Sequence, residues 1–225
     1  FDIVKGLSIL EVIIHHCTSH AARKFTEMGS AGWWALMFIN RLLHFAVPVF
    51  LFVTALLLAK GLAKEPKANW KKFFARRMKG TVWPYLVWTL IYIGVRLYIL
   101  KSSQDVFHVT KDWPLLGSIT GPNLIANPAE WSNTLLWGKA YFHMYFMSIL
   151  LQISLAFPLI FWIGKQRVRL WQILAIGGLL QFGWYLFQSH ILKFHAPASL
   201  APGYTLAIVL GAWMGAHWEE RKDIA

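Results

Sequence analysis

Five polar side chains in the first apolar run of the sequence, Lys5, Ser8, Glu11, His15 and His16, have the types and spacing for acid–base chemistry. Between Lys5 and His16 a helix turns about 1100°, three full turns and about 20°, so the two share a face roughly 16 Å apart. Ser8, Glu11 and His15 fall beside them, all within an arc of about 140° on an otherwise apolar wheel. Ionisable groups at membrane depth cost about 2.5–3.5 kcal/mol each on insertion scales, so this stripe must face other helices or water. A neutral imidazole in such a place is a general base. The same pattern also describes a satisfied interhelical network, in which Glu11 pairs with His15 one turn later.

Other candidates lie further along. Lys72, Arg76, Arg77 and Lys79 fall within eight positions just before the third apolar run. Guanidinium groups grip phosphates in bidentate fashion, so this cluster suits a nucleotide pyrophosphate, although a basic flank also serves topology alone. Asn40, Arg41 and His44 open the second run, where Arg41 fits either an interfacial anchor or the site. Arg96, near the end of the third run, is expected to snorkel to the interface. His143 opens the fourth run, followed by Tyr145 and Gln152. Cys17 is the only cysteine and reads as a small buried apolar residue. No Cys/His spacing suits zinc, so no bound metal is expected.

The elements that carry these residues are apolar helices. The 225-residue chain is 57% hydrophobic and 14% charged, with 13 Trp, against about 45–50% and about 25% in soluble domains. Disorder, coiled coil and disulfide scaffold are excluded. Membrane spans are expected near 3–20, 36–58, 82–100, 143–163, 170–190 and 202–218, an all-α polytopic bundle of about six helices forming a single domain over 1–225. The net charge of +12 resides in short stretches between the runs, which is the positive-inside pattern and not a nucleic-acid-binding face.

The connection 60–79 and the link Lys165, Arg167, Arg169 are the most basic, so both are assigned to the cytoplasm together with the two termini. The less basic segments 21–35, 101–142 and 191–201 then face outward. The segment 101–142 is expected to lie on or dip into the membrane surface. Gly211 and Gly215 have the spacing that lets helix backbones approach closely, and are read as packing residues.

Four stretches resemble acyltransferase family 3, the membrane acyltransferases. FDIVKGLSILEVIIHH is similar to the family's first span, where an Arg is followed after ten residues by a His. RLLHFAVPVFLFVTALLLAKG resembles the second, FFARRMKGTVWPYLVWTLIY the basic entry to the third, and YFHMYFMSILLQISLAFP the His-Leu-Tyr/Trp-Phe segment. The flavour is that of the bacterial branch that modifies exopolysaccharides and cell-wall glycans.

The resemblance implies transfer of an acyl group, acetyl or succinyl, from cytoplasmic acyl-CoA to a sugar hydroxyl of an extracytoplasmic polysaccharide or glycan in the cell membrane. It puts His16 in the place of the essential His and Lys5 in that of the Arg, as catalytic residues; His15 competes with His16 by adjacency alone, and Glu11, His15, Arg41 and His143 are read from their own positions as support. Arg76, Arg77 and Lys79 would hold the acyl-CoA, the donor substrate; no permanently bound cofactor is implied. Departures are Lys5 for Arg, Gly80 for a second Arg, and Thr54 and Ala55 for the usual Ser-Gly. Family members carry about ten spans, so the chain is expected to be the N-terminal portion of the family fold. The rival readings are a glycan or lipid-linked sugar transporter, in which the polar stripe lines a path, and a non-catalytic membrane subunit.

Overall fold

The computed structural model describes residues 2–65 and 67–220, and the side chains of all of these except Asp2 and Lys5. Apolar runs bounded by polar turns give the helices α1 (Asp2–Phe25), α2 (Ala31–Leu42), α3 (Ala46–Ala63), α4 (Trp70–Arg77) and α5 (Trp83–Gly94). After α5 come the short α6 (Ser103–Val106), the strands β1 (His108–Trp113) and β2 (Gly117–Pro122), α7 (Asn123–Ala126), α8 (Pro128–Leu136), α9 (Tyr145–Gly164), α10 (Leu170–Phe187) and α11 (Thr205–Ala216). The architecture is an all-α membrane bundle with one two-stranded hairpin.

Among the described residues, four helical stretches are long and apolar enough to cross a membrane: Ala31–Ala63, Trp70–Leu100, Tyr145–Gly164 and Leu170–Leu192. They account for four of the six expected runs. The 24 residues of α1 reach roughly 36 Å, but their polar stripe keeps α1 out of that apolar class. The last run forms a shorter apolar helix, Ala201–Ala216. Boundaries shift as well. The connection between the first two helices shrinks to residues 26–30, where Gly29 at φ 85 makes the turn and Ser30 caps α2 by accepting from Trp33 N–H at 3.2 Å.

The third span begins at Trp70 and not at 82, so Lys71, Lys72, Arg76, Arg77 and Lys79 ride on helix. Its ladder widens to a π turn over Met78–Val82, closed by Trp83 N–H on Met78 O. Pro84 lies just past this point; it has no N–H to offer and its ring crowds the carbonyl four residues back, which favours the wider turn.

The described residues form two compact units. The first takes residues 2–65, 159–181 and 204–220. At its core α3 and α11 meet through small residues: Ala55, Ala59 and Ala212 are fully buried. A Cβ added to Gly211 would run into the carbonyl oxygen of Phe52, and one on Gly215 into that of Leu56. The packing role read from the sequence is therefore what the helices display. Overpacking costs about 1–3 kcal/mol, so Gly215→Ala is expected to lower the melting temperature of the detergent-solubilised protein. An unchanged melting temperature would contradict this close approach.

The second unit takes Lys67–Pro158 and Phe182–Gly203. Its hairpin pairs His108 with Pro122 through Trp113 with Gly117. Trp113 Nε1 donates to Ala126 O at 2.7 Å, fastening the hairpin to α7. The end of α8 is held by side chains from elsewhere in this unit. Tyr85 Oη lies 3.0 and 2.9 Å from the carbonyls of Thr134 and Leu135, Ser148 Oγ donates to Leu136 O, and Ser199 Oγ donates to Trp137 O at 2.9 Å. Helix ends leave carbonyls without intrahelical partners, and here polar residues of the neighbouring segments fill that need.

Arg96 takes part in the same clamp. Its guanidinium makes two parallel bonds to Asp105, at 2.9 and 2.6 Å, while Nη1 donates to Lys139 O at 2.9 Å. The snorkelling expected of Arg96 is thus replaced by a bidentate ion pair with a buried carboxylate. The segment 101–142 is a folded layer tied to the end of the third span, and contains a hairpin that the sequence reading did not foresee.

Candidate functional site

Within the first unit, α1 and the 3-10 turn Leu43–Phe45 that follows α2 bring three imidazoles together. His15 lies with its ring centroid 5.3 Å from that of His16, edge-on at 76°, and 5.1 Å from that of His44. His15 and His16 are both half-buried. The Nδ1 of His15 is 3.0 Å from the carbonyl oxygen of Asn40. In return the Asn40 amide donates to His15 O at 2.6 Å and to Thr18 Oγ1 at 3.2 Å.

This arrangement alters the expected Glu11–His15 pairing. The His15 ring turns to Asn40, and Glu11 Oε2 is buried without a hydrogen-bond partner among the described residues. Ser8, on the same stripe, is buried. The side chain of Lys5 lies outside the described residues. Arg41 is exposed in the last turn of α2, where a cation suits the negative end of the helix dipole. The residue that sequence reasoning undervalued is Asn40, with Thr18 behind it. Its signal was an amide beside Arg41 at membrane depth, where a polar group needs a partner.

The basic cluster belongs to the second unit. Phe73 is buried and stacks on Phe157 with centroids 5.4 Å apart, which fixes the rotation of α4. Lys72, Arg76 and Lys79 are then exposed, while Arg77 is half-buried. Arg77 Nε is buried and has no hydrogen-bond partner among the described residues. A guanidinium N–H in that condition is a donor that an anion could satisfy. Arg76 and Arg77 extend about 100° apart on the helix, and Lys79 enters on the π turn.

His143 stands just before α9 in an aromatic surround. Its ring centroid lies 5.0 Å from Tyr92, 5.5 Å from Tyr141 and 5.0 Å from Phe142. Burial pushes its imidazole below the ordinary value, so it is neutral at pH 7. Tyr92 and Tyr141 stack on each other at 4.8 Å.

The decisive observation on ancestry comes from comparison. The family model described as an acyltransferase domain, that of acyltransferase family 3, matches residues 1–223. The chain belongs to acyltransferase family 3. No curated protein and no solved structure matches it. With four helices of membrane-spanning length and apolarity among the described residues, this acyltransferase family 3 chain is a membrane acyltransferase.

Proposed function

We propose that this membrane acyltransferase moves an acetyl or succinyl group from acyl-CoA to a hydroxyl of a cell-envelope glycan, with His16 as general base. The observation that carries the reading is the half-buried imidazole pair on α1, set in a hydrogen-bonded polar network within an acyltransferase domain. A neutral imidazole accepts the proton of the acceptor hydroxyl as the oxygen attacks the thioester carbon. The C–S bond then breaks, and the proton passes to the departing CoA thiolate. A variant of this route has the imidazole take the acyl group first. Lys5, by analogy with the family's Arg, would balance charge on the donor.

The donor's phosphates are assigned to Arg76, Arg77 and Lys79, a reading supported by the unpartnered Nε of Arg77 and by the affinity of guanidinium groups for phosphate. The excess of Lys and Arg in residues 60–79 supports a cytoplasmic place for this segment and hence for both termini. The donor would then be cytoplasmic CoA and the acceptor an extracytoplasmic sugar.

The test is donor binding. A hydrogen bond to a charged group contributes about 1.5–3 kcal/mol, so Arg76→Ala/Arg77→Ala is expected to weaken acetyl-CoA or succinyl-CoA binding by roughly 10-fold to 100-fold. Acceptor KM should stay as it is. Unchanged CoA affinity in the folded double variant would remove the phosphate assignment.

A further inference from the structure

Residue 15 is held from both ends by one partner. A backbone carbonyl only accepts, so the 3.0 Å contact of His15 Nδ1 with Asn40 O puts the proton on Nδ1 and leaves the lone pair on Nε2. The Asn40 side chain grips the His15 carbonyl at 2.6 Å and reaches Thr18 Oγ1 at 3.2 Å. The Thr18 hydroxyl lies 2.8 Å from Ile14 O and 3.0 Å from His15 O, so it too is anchored to this turn of α1. Asn40 itself is only 6% exposed. It sits where α2 gives way to a 3-10 turn over Leu43–Phe45, next to a helix end, where carbonyls turn to partners outside the ladder.

This degree of fixation exceeds what packing two helices requires. An apolar residue at position 40 would fill the same contact without placing an amide in a low-dielectric setting, where an unsatisfied one is costly. What the amide does achieve, by bonding His15 O and Thr18 Oγ1, is to keep the carbonyl of residue 40 opposite the His15 ring, which gives that ring one tautomer and one orientation. His16 packs edge-on against that ring, and His44 lies near it at 5.1 Å. A base is effective when its own orientation is fixed by a neighbour, the logic of catalytic triads in general form.

We propose that Asn40 and His15 are the positioning residues of this acyltransferase: the Asn40 amide holds its own backbone carbonyl opposite the His15 ring, that carbonyl locks the ring as its Nδ1–H tautomer, and the ring sets the orientation of the His16 imidazole. The inference rests on the reading of His16 as the base. During transfer the proton moves from the acceptor hydroxyl to His16 and on to the CoA thiolate, while His15 keeps its own proton on Nδ1 throughout.

Two measurements on the full chain test this. In steady-state acyl transfer, Asn40→Ala is expected to lower kcat by about 10-fold or more while donor and acceptor KM stay within about 2-fold, because positioning acts on the reaction step. Thr18→Val, which deletes one hydroxyl and no bulk, should lower kcat by a smaller factor, and serves where Asn40→Ala does not fold. His15→Phe, which keeps a ring beside His16, should retain several times the kcat of His15→Ala. A rise in KM at unchanged kcat for the Asn40 and Thr18 variants would overturn the proposal. So would a His16→Ala protein that stays active while His15→Phe is dead, since His15 would then be the base.

The second measurement needs no turnover. In protein labelled with 15N-histidine, the His15 shifts should place its proton on Nδ1 in the unmodified chain; Asn40→Ala and Thr18→Val keep the carbonyl of residue 40 but remove amide contacts that hold it opposite the ring, so mixed tautomers are expected in both. A proton on Nε2 of His15, or a tautomer unaffected by either substitution, would overturn the lock. If the unmodified chain transfers no acyl group, the functional reading above fails, and the tautomer result alone decides whether Asn40 fixes His15.

Discussion

His16→Ala is expected to lower acyl transfer by about 10²-fold to 10⁴-fold, the usual worth of a positioned general base. The hydroxyl of a sugar holds its proton tightly at neutral pH, so attack on a thioester needs a group that removes the proton as the C–O bond forms. His16 is half-buried on the polar stripe of α1, packed edge-on against a ring that Asn40 holds. Because the substitution removes an interaction made in the transition state, kcat and kcat/KM should fall together. Expression and membrane insertion should stay as before, since the apolar faces of α1 are untouched. The readout is the initial rate of CoA release with acceptor present. A folded His16→Ala protein that turns over like the unmodified chain would remove His16 from the mechanism.

The second large effect concerns stability. Arg96→Ala is expected to cost about 3–5 kcal/mol, because it leaves the Asp105 carboxylate buried without its partner. Asp105 is 6% exposed, and its two oxygens take parallel bonds from the guanidinium at 2.6 and 2.9 Å. The same substitution strips the donor from Lys139 O, just after Gly138, whose φ of 65 shapes the turn out of α8. Thermal unfolding in detergent should show a lower midpoint, and limited trypsin digestion should cut sooner at Lys111 in the hairpin. Replacing both partners together, Arg96→Met/Asp105→Leu, should recover part of the loss, because no charge is then left buried. An Arg96→Ala protein with an unchanged midpoint and unchanged cleavage would mean that the pair is solvated and does not hold the 101–142 layer.

Much of this was written in the local pattern. The apolar runs announce the helices because length and hydropathy are properties of each segment alone, and the wheel of α1 groups His15 with His16 by arithmetic. The small-residue seam at Gly211 and Gly215 was legible for the same reason. Asn40 was not, since its partner lies 25 residues away and only the folded hairpin of α1 and α2 brings them to hydrogen-bonding distance. Arg96 looked like an interfacial anchor because nothing local marks Asp105, nine residues on, as its partner. The hairpin His108–Trp113 and Gly117–Pro122 hid in a polar connection, where HVTKDW and GSITGP give only weak alternation and pairing supplies the order. The start of the third span at Trp70 was missed because a basic helix turn and a basic loop have the same composition.

The central claim is that the chain moves an acyl group from CoA to a glycan hydroxyl. The measurement that tests it most directly is incubation of the full chain in membranes with radiolabelled acetyl-CoA, and separately succinyl-CoA, in the presence of cell-envelope glycan. Label appearing on the glycan as an alkali-labile ester, with stoichiometric release of free CoA and loss of both in His16→Ala, is the predicted result. No label on the glycan from either donor, with the chain shown to be folded and inserted, would contradict it.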